Sequence, residues 1–130
     1  MPISHILDSS ALLALLHREP GQDVVKAALD GAAMSAVNFC EVVTKLLAIP
    51  MELPTAIETS QAPEVQVIPF DRQCACEAAG MLPLTKPLGL SLGDRACLAL
   101  ARLEGVPVLT TDQAWKKLAA KLGIDIRVIR

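Results

Sequence analysis

The sequence is poor in aromatic residues and has no long apolar run. Aromatic side chains make up 2% of its 130 residues, whereas hydrophobic residues, mostly alanine and leucine, make up 52%. This composition excludes a disordered chain and favours one packed helical or α/β domain, which we expect to span residues 1–130. No apolar run approaches the ~18 residues of a membrane helix, so no membrane partner is expected. Asp8 interrupts the first apolar stretch and no basic segment precedes it, which argues against a signal peptide.

Cysteine patterns typical of zinc sites are also lacking. Cys74 and Cys76 form C-x-C rather than C-x-x-C, and no histidine is near them in sequence. A zinc knuckle is therefore not favoured. We expect these two residues, together with Cys40 and Cys97, to be small core residues in a reducing cytoplasm.

Positive charge is scarce in the first part of the chain. Residues 1–71 contain three Lys or Arg and nine Asp or Glu, a net charge of −6, whereas residues 72–130 contain nine and five, a net charge of +4. The overall charge of −2 does not by itself indicate nucleic-acid binding. The basic second part is compatible with contact to a phosphate backbone or with ordinary scatter of surface charge.

Short apolar strands alternate with helical patterns along the whole chain. The predicted strands are Ile3–Leu7, Ala32–Val37, Val65–Phe70, Val106–Thr111 and Asp125–Arg130. The predicted helices cover residues 9–18, 22–31, 38–49, 54–60, 72–82, 91–105 and 112–123, and residues 83–90 are a predicted loop. The alternation predicts right-handed βαβ units and an α/β fold, with helices on both faces of a parallel sheet. Sites in such sheets form beyond the carboxyl ends of the strands.

Four carboxylates lie at or near that edge. Asp8 and Asp112 directly follow predicted strands, Asp94 begins a predicted helix, and Glu41 lies about one turn into another. Each also fits a purely structural role. Asp8 and Asp112 suit helix N-caps, residues 91–94 suit a capping box, and Glu41 is spaced for an ion pair with Lys45.

Taken together, the four acids indicate a metal site. Carboxylates that converge without basic neighbours repel one another unless a divalent cation neutralises them. Oxygen ligands without His or Cys favour Mg²⁺ or Mn²⁺, and such ions activate water for attack on a phosphate. The chemistry inferred is metal-assisted phosphodiester hydrolysis. Four hydroxyl side chains are close to these acids in sequence: Ser9, Ser10, Thr110 and Thr111. They either orient a carboxylate, a water or a phosphate, or cap turns and helices.

The chain resembles PIN domains, most of all the VapC-type toxins of bacterial toxin–antitoxin pairs. The resemblance covers nearly all 130 residues and rests on four stretches in the family's order. They are ILDSSALLALL with Asp8, MSAVNFCEVV with Glu41, LSLGDRACLALA with Asp94 and VPVLTTDQAW with Asp112.

The resemblance implies a five-stranded parallel sheet of order 3-2-1-4-5, which makes the first and fourth strands neighbours. It places the family's acidic positions on the four acids and its conserved hydroxyl on Thr110. The implied activity is Mg²⁺- or Mn²⁺-dependent cleavage of RNA, and the implied partners are a cognate antitoxin and a second copy in a homodimer. Many members carry a further acid where this chain has Ala114. The metal site here would therefore rely on four acids rather than five, and a second metal ion would lack that ligand.

Several basic residues are candidates for RNA contact. Arg95 adjoins Asp94 and either contacts RNA or screens that acid, and Lys116 and Lys117 either contact RNA or form a solvated helix face. Arg102 is a further candidate. Trp115 is expected to pack under the last helix.

Two other functions compete with RNA cleavage. One is a PIN fold that binds RNA or protein without cleaving, for which loss of one acid would be the sign. The other is a phosphohydrolase or phosphoacceptor domain, but the first strand is followed by Asp8-Ser9-Ser10 rather than Asp-x-Asp.

Overall fold

The computed structural model describes residues 2–130, which form five strands and eight α-helices. The strands are β1 (His5–Leu7), β2 (Ala32–Ser35), β3 (Gln66–Ile68), β4 (Val108–Thr110) and β5 (Ile126–Val128). The helices are α1 (Ser9–Leu16), α2 (Gln22–Ala28), α3 (Ala36–Leu47), α4 (Leu53–Gln61), α5 (Arg72–Gly80), α6 (Leu82–Thr85), α7 (Leu92–Glu104) and α8 (Ala119–Leu122). Two 3-10 helices cover Lys86–Leu88 and Gln113–Leu118. Within residues 2–130, no helix has both the length and the apolar character to span a membrane.

The five strands form one parallel sheet of order β3-β2-β1-β4-β5, as predicted. β1 and β4 are neighbours, with Leu7 paired to Leu109. The residues after these two strands therefore lie side by side at the carboxyl edge of the sheet. This is the topological switch point at which α/β proteins form their sites.

Alternate residues of β1 enter two separate cores. Ile6 packs with Leu98 of α7 on one face, and Leu7 packs with Ala11 of α1 on the other. Because successive strand residues point to opposite faces, two adjacent buried residues need helices on both sides of the sheet. Trp115 is fully buried in the α7 core, which confirms its predicted packing role.

Two segments differ from the sequence expectation. The predicted loop at 83–90 contains α6 and a 3-10 turn, because Pro83 and Pro87 occupy first-turn positions where a missing N–H costs nothing. The predicted helix at 112–123 is instead a 3-10 helix followed by the short α8. There the Asp112 carbonyl accepts from the N–H of Trp115, three residues on, which is the tighter 3-10 pattern.

The expectation that all four cysteines are core residues is wrong for two of them. Cys74 and Cys97 are buried, but Cys40 and Cys76 are exposed, and all four thiols are free. Residues two apart on a helix point in different directions, so Cys74 and Cys76 on α5 cannot both face the core.

Candidate metal-binding edge of the sheet

Asp8 lies at the junction of β1 and α1 and is 5% exposed. It caps α1, because its Oδ1 accepts from the backbone N–H of Ala11 at 2.8 Å and from the hydroxyl of Ser10 at 2.7 Å. Its other oxygen, Oδ2, accepts from the hydroxyl of Thr110 at 2.6 Å. The carboxylate is thus held by three neutral donors.

Hydroxyl groups join the ends of β1 and β4. The fully buried Thr110 donates to Asp8 and accepts from the backbone N–H of Asp112 at 3.1 Å. Ser10 donates to Asp8 and accepts from the backbone N–H of Thr111 at 3.0 Å. These contacts fix the Asp8 carboxylate between the two strands and assign orienting roles to Ser10 and Thr110.

Burial raises the pKa of Asp8 from 3.8 to about 6. Hydrogen bonds from Thr110, Ser10 and Ala11 oppose this rise, and the negative charge of Asp94 adds to it. The carboxylate of Asp8 therefore carries a charge that its surroundings do not neutralise.

Asp94 lies in the first turn of α7, where it completes the predicted capping box. Its Oδ2 accepts from the backbone N–H of Ser91 at 2.9 Å, and the Ser91 hydroxyl accepts from the N–H of Asp94 at 3.2 Å. The alternative interpretation of residues 91–94 as a helix cap is therefore confirmed. The cap uses Oδ2 of the carboxylate. The other oxygen, Oδ1, accepts no hydrogen bond within residues 2–130.

Glu41 bonds to a neighbour that sequence reasoning did not select. Its Oε1 accepts from Nδ2 of Asn38 at 2.8 Å, and the same amide donates to the carbonyl of Gly93 at 3.0 Å. The alternative ion pair with Lys45 is not formed within residues 2–130. The available signal was the i, i+3 spacing of Asn38 and Glu41, which places both on one face of α3.

Three of the four acids lie within electrostatic range of Cys97. Burial raises the pKa of this thiol well above 9.0, and the charges of Asp8, Asp94 and Glu41 raise it further. Cys97 is fully buried one turn after Asp94 on α7. All three carboxylates thus act on the same buried position of α7.

Asp112 lies at the rim of this edge. It is exposed and caps the 3-10 helix that follows it, with Oδ1 accepting from the N–H of Ala114 at 2.9 Å. It is linked to Asp8 through Thr110, by the two hydrogen bonds described above.

The donor set fits a divalent cation in chemical type. All four side chains are carboxylates, the ligands that Mg²⁺ and Mn²⁺ prefer. None of them forms an ion pair with Lys or Arg in the part of the chain that the structure describes. No three His, Cys, Asp or Glu side chains within residues 2–130 are gathered closely enough to hold a metal ion in this conformation. The fit therefore rests on ligand chemistry and uncompensated charge.

The basic candidates lie in different surroundings. Lys116 and Lys117 are exposed on the 3-10 helix after Asp112. Arg95 is half-buried, and its guanidinium donates to the carbonyl of Ala78 at 3.2 Å. Arg102 pairs with Glu77 at 2.7 Å in the last turn of α7, away from the acidic edge.

These features define an α/β protein with an acidic site where the first and fourth strands of a parallel sheet end. A model of the PIN domain matches residues 5–121, so the chain belongs to the PIN domain family. PIN domains typically bind a divalent metal ion, and those of the VapC type are typically nucleases. No curated protein sequence is significantly similar to the chain.

Several solved structures share the fold over nearly the whole chain. DNA-bound VapBC from Salmonella typhimurium aligns at 13% identity with a TM-score of 0.75, covering 98% of this chain and 99% of that one. VapBC2 from Rickettsia felis, bound to a promoter DNA fragment, aligns at 10% identity with a TM-score of 0.74, covering 98% and 100%. A toxin–antitoxin complex from Klebsiella pneumoniae aligns at 21% identity with a TM-score of 0.73, covering 98% of both chains. At these identities the similarity shows the fold.

Proposed function

We propose that residues 1–130 form a single PIN domain that acts as a metal-dependent endoribonuclease, the toxin of a toxin–antitoxin pair. The observation that carries the proposal is the buried Asp8 carboxylate at the switch point, which is held by neutral donors alone, while Asp8, Glu41 and Asp94 form no ion pair within residues 2–130. Such charge is stable beside a divalent cation and unfavourable otherwise. Family membership supports nuclease chemistry.

The proposed metal ligands are Asp8, Glu41, Asp94 and Asp112, with Mg²⁺ as the cofactor and Mn²⁺ as a substitute. A bound ion of this kind lowers the pKa of water and neutralises charge that develops on a phosphate. Thr110 holds the Asp8 carboxylate in place, because its hydroxyl donates to Oδ2 at 2.6 Å. The proposed catalytic set is therefore these four acids together with Thr110.

The proposed RNA contacts are Lys116 and Lys117, with Arg95 as a lesser candidate. Both lysines are exposed and lie within five residues of Asp112. A phosphate backbone that reached the acidic edge would pass near their ammonium groups. Arg95 already donates to the carbonyl of Ala78, so it would have to share its guanidinium with RNA.

The proposed protein partners are a cognate antitoxin and a second copy of the chain. The Klebsiella neighbour is a toxin–antitoxin complex, and the other two neighbours are VapBC complexes. The α3–α4 hairpin carries exposed apolar side chains that suit an apolar partner segment. They are Leu47, Ile49 and Leu53.

A binding module without cleavage activity is the alternative function. The observation that favours it is the separation of the carboxylates, since no three of them within residues 2–130 are gathered for a metal. The caps formed by Asp94 and Asp112 would then be the only roles of those side chains.

Cleavage of a pool of cellular RNAs distinguishes the two functions. The purified protein, free of antitoxin, is incubated with Mg²⁺, with Mn²⁺ or with EDTA, beside the Asp94→Asn variant. Asn retains the acceptor oxygen of the capping box, so the variant is expected to fold. Discrete fragments that need a metal and vanish in Asp94→Asn support the nuclease. A folded protein that yields no fragments with either metal would support the binding module.

A further inference from the structure

Asn38 connects two helices at the acidic edge. It is 1% exposed in the first turn of α3, and its Nδ2 donates both to Oε1 of Glu41 and to the carbonyl of Gly93, 55 positions away in sequence. Both neighbours accept hydrogen bonds and donate none. The amide orientation is therefore determined by chemistry, because the opposite orientation would place an oxygen against two oxygens.

The space for the Glu41 carboxylate exists because residue 93 is glycine. A Cβ at Gly93 would lie 2.5 Å from Oε2 and 2.6 Å from Oε1 of Glu41. The carboxylate thus packs on the backbone of α7, one residue before Asp94. Asn38 and Gly93 together fix Glu41 against the helix that carries Asp94.

The carbonyl oxygen of the Asn38 side chain indicates that asparagine is not the most stabilising residue at this position. Its Oδ1 is buried and accepts no hydrogen bond within residues 2–130. A buried acceptor without a partner destabilises a fold, and an apolar side chain would fill the same space without that cost. What asparagine adds here is the pair of N–H donors.

We propose that Asn38 is a positioning residue for Glu41 in the metal site. Its amide holds Oε1, so that Oε2 is the oxygen available to a cation. The inference rests on the proposed function, in which Glu41 is a metal ligand. Without this hydrogen bond, Glu41 would have to be ordered each time a metal binds, which weakens binding.

Mn²⁺ affinity, measured by electron paramagnetic resonance on RNA-free protein, tests the proposal without relying on cleavage. We expect Asn38→Ala to weaken Mn²⁺ binding about tenfold or more, as losses of hydrogen bonds to metal ligands do. Ser60→Ala is the matched control, because it removes a buried helix hydroxyl that bonds only to the carbonyl of Ala56. This control is expected to keep the wild-type affinity.

A double variant separates positioning from general damage. If Asn38 acts through Glu41, Asn38→Ala adds no further loss of Mn²⁺ affinity in a Glu41→Gln background. An equal tenfold loss in both backgrounds would overturn the proposal. Unchanged affinity in a folded Asn38→Ala protein would overturn it as well.

A nuclear magnetic resonance measurement on the wild type needs no variant to fold. Asn38 is the only asparagine of the chain, so its side-chain amide is the sole asparagine signal. We expect slow proton exchange in metal-free protein and a shift of the signal when Mg²⁺ is added. Rapid exchange would overturn the contact itself. Slow exchange in a protein that binds no Mn²⁺ would overturn both the metal site and the positioning role, while leaving the bond as a structural one.

Discussion

The acidic side chains at the two ends of the sheet are stabilised by different groups. At the amino end, Asp125 pairs with Arg127 at 2.9 Å, and Glu77 pairs nearby with Arg102 at 2.7 Å. At the carboxyl end, Asp8 is held by two hydroxyls and a backbone N–H, and Asp94 by a backbone N–H. The carboxylates of Asp125 and Glu77 are neutralised by arginine, whereas those of Asp8 and Asp94 are only oriented.

In the proposed function, this difference separates structural charge from metal-binding charge. An ion pair already satisfies the carboxylate and leaves little reason for a cation to bind. Neutral donors fix the direction of a carboxylate without supplying an opposite charge, and burial leaves the pKa of Asp8 raised despite them. A site that must attract a divalent cation needs the second arrangement.

The largest difference is expected between the RNA cleavage rates of the Asp112→Asn and Asp125→Asn variants. Both variants neutralise an exposed carboxylate, since Asp112 follows β4 and Asp125 directly precedes β5. Loss of a metal ligand is expected to slow metal-dependent cleavage about 1,000-fold, or ~4 kcal/mol, in Asp112→Asn. Asp125→Asn is expected to cleave at the wild-type rate. Equal rates for all three proteins would remove Asp112 from the site.

The next largest difference is expected in how the free energy of unfolding of the metal-free protein depends on pH, when Asp8→Asn is compared with Asp71→Asn. The pKa of Asp8 is about 6 in the folded protein and about 3.8 otherwise, so the folded state binds the proton more tightly. Asp8 therefore favours folding at low pH, and this contribution is lost as pH rises through about 6. Asp8→Asn removes the charge, so we expect it to stabilise the protein by about 3 kcal/mol at pH 8 and by less than about 1 kcal/mol near pH 4.

Asp71→Asn is the control for that measurement, which uses chemical denaturation in EDTA. A hydrogen bond from the backbone N–H of Cys74 lowers the pKa of Asp71, so its contribution has the opposite sign. It is present at neutral pH and is lost as pH falls through the lowered pKa. We expect Asp71→Asn to lose stability at pH 8. A loss of stability in Asp8→Asn at the same pH would contradict the assignment of uncompensated charge to Asp8.

Two helical glycines provide a smaller contrast. Gly93→Ala would place a methyl group 2.5 Å from Oε2 of Glu41, whereas nothing lies within 4 Å of a Cβ at Gly80. We expect Gly93→Ala to displace Glu41 and to weaken Mn²⁺ binding about tenfold, or ~1.4 kcal/mol. Gly80→Ala is expected to keep the affinity and to stabilise α5 slightly. Titration by electron paramagnetic resonance gives both affinities, and tight binding in Gly93→Ala would show that Glu41 is free to move.

The fold could be predicted where local signals agree with the tertiary structure. Apolar strands and helices alternate, so the parallel sheet follows from sequence, and the caps at Asp8, Asp94 and Asp112 follow from residue type at each junction. The strand order came from the family resemblance, since alternation alone does not place β1 beside β4. The 3-10 geometry after Asp112 was not predicted, because the apolar pattern around the buried Trp115 is equally compatible with an α-helix.

The sequence predicted which acids lie at the site, but it did not predict which residues contact them. Lys45 and Asn38 are both spaced to reach Glu41, and local spacing does not choose between them. The choice depends on α7, because the Asn38 amide also bonds to Gly93, and only a glycine there leaves room for the carboxylate. A contact across 55 positions of sequence leaves no periodic signal.

The smallest effect is expected at the amino end of the sheet. The Asp125 and Arg127 side chains are 58% and 53% exposed, and such ion pairs contribute less than about 1 kcal/mol. We expect Asp125→Asn to lower the free energy of unfolding by no more than this, and less at 1 M salt because screening already weakens the pair. Urea denaturation at low and high salt measures the difference. A gain of stability comparable to that of Asp8→Asn would mean that paired and unpaired carboxylates contribute alike, and would undo the distinction between the two groups of acids.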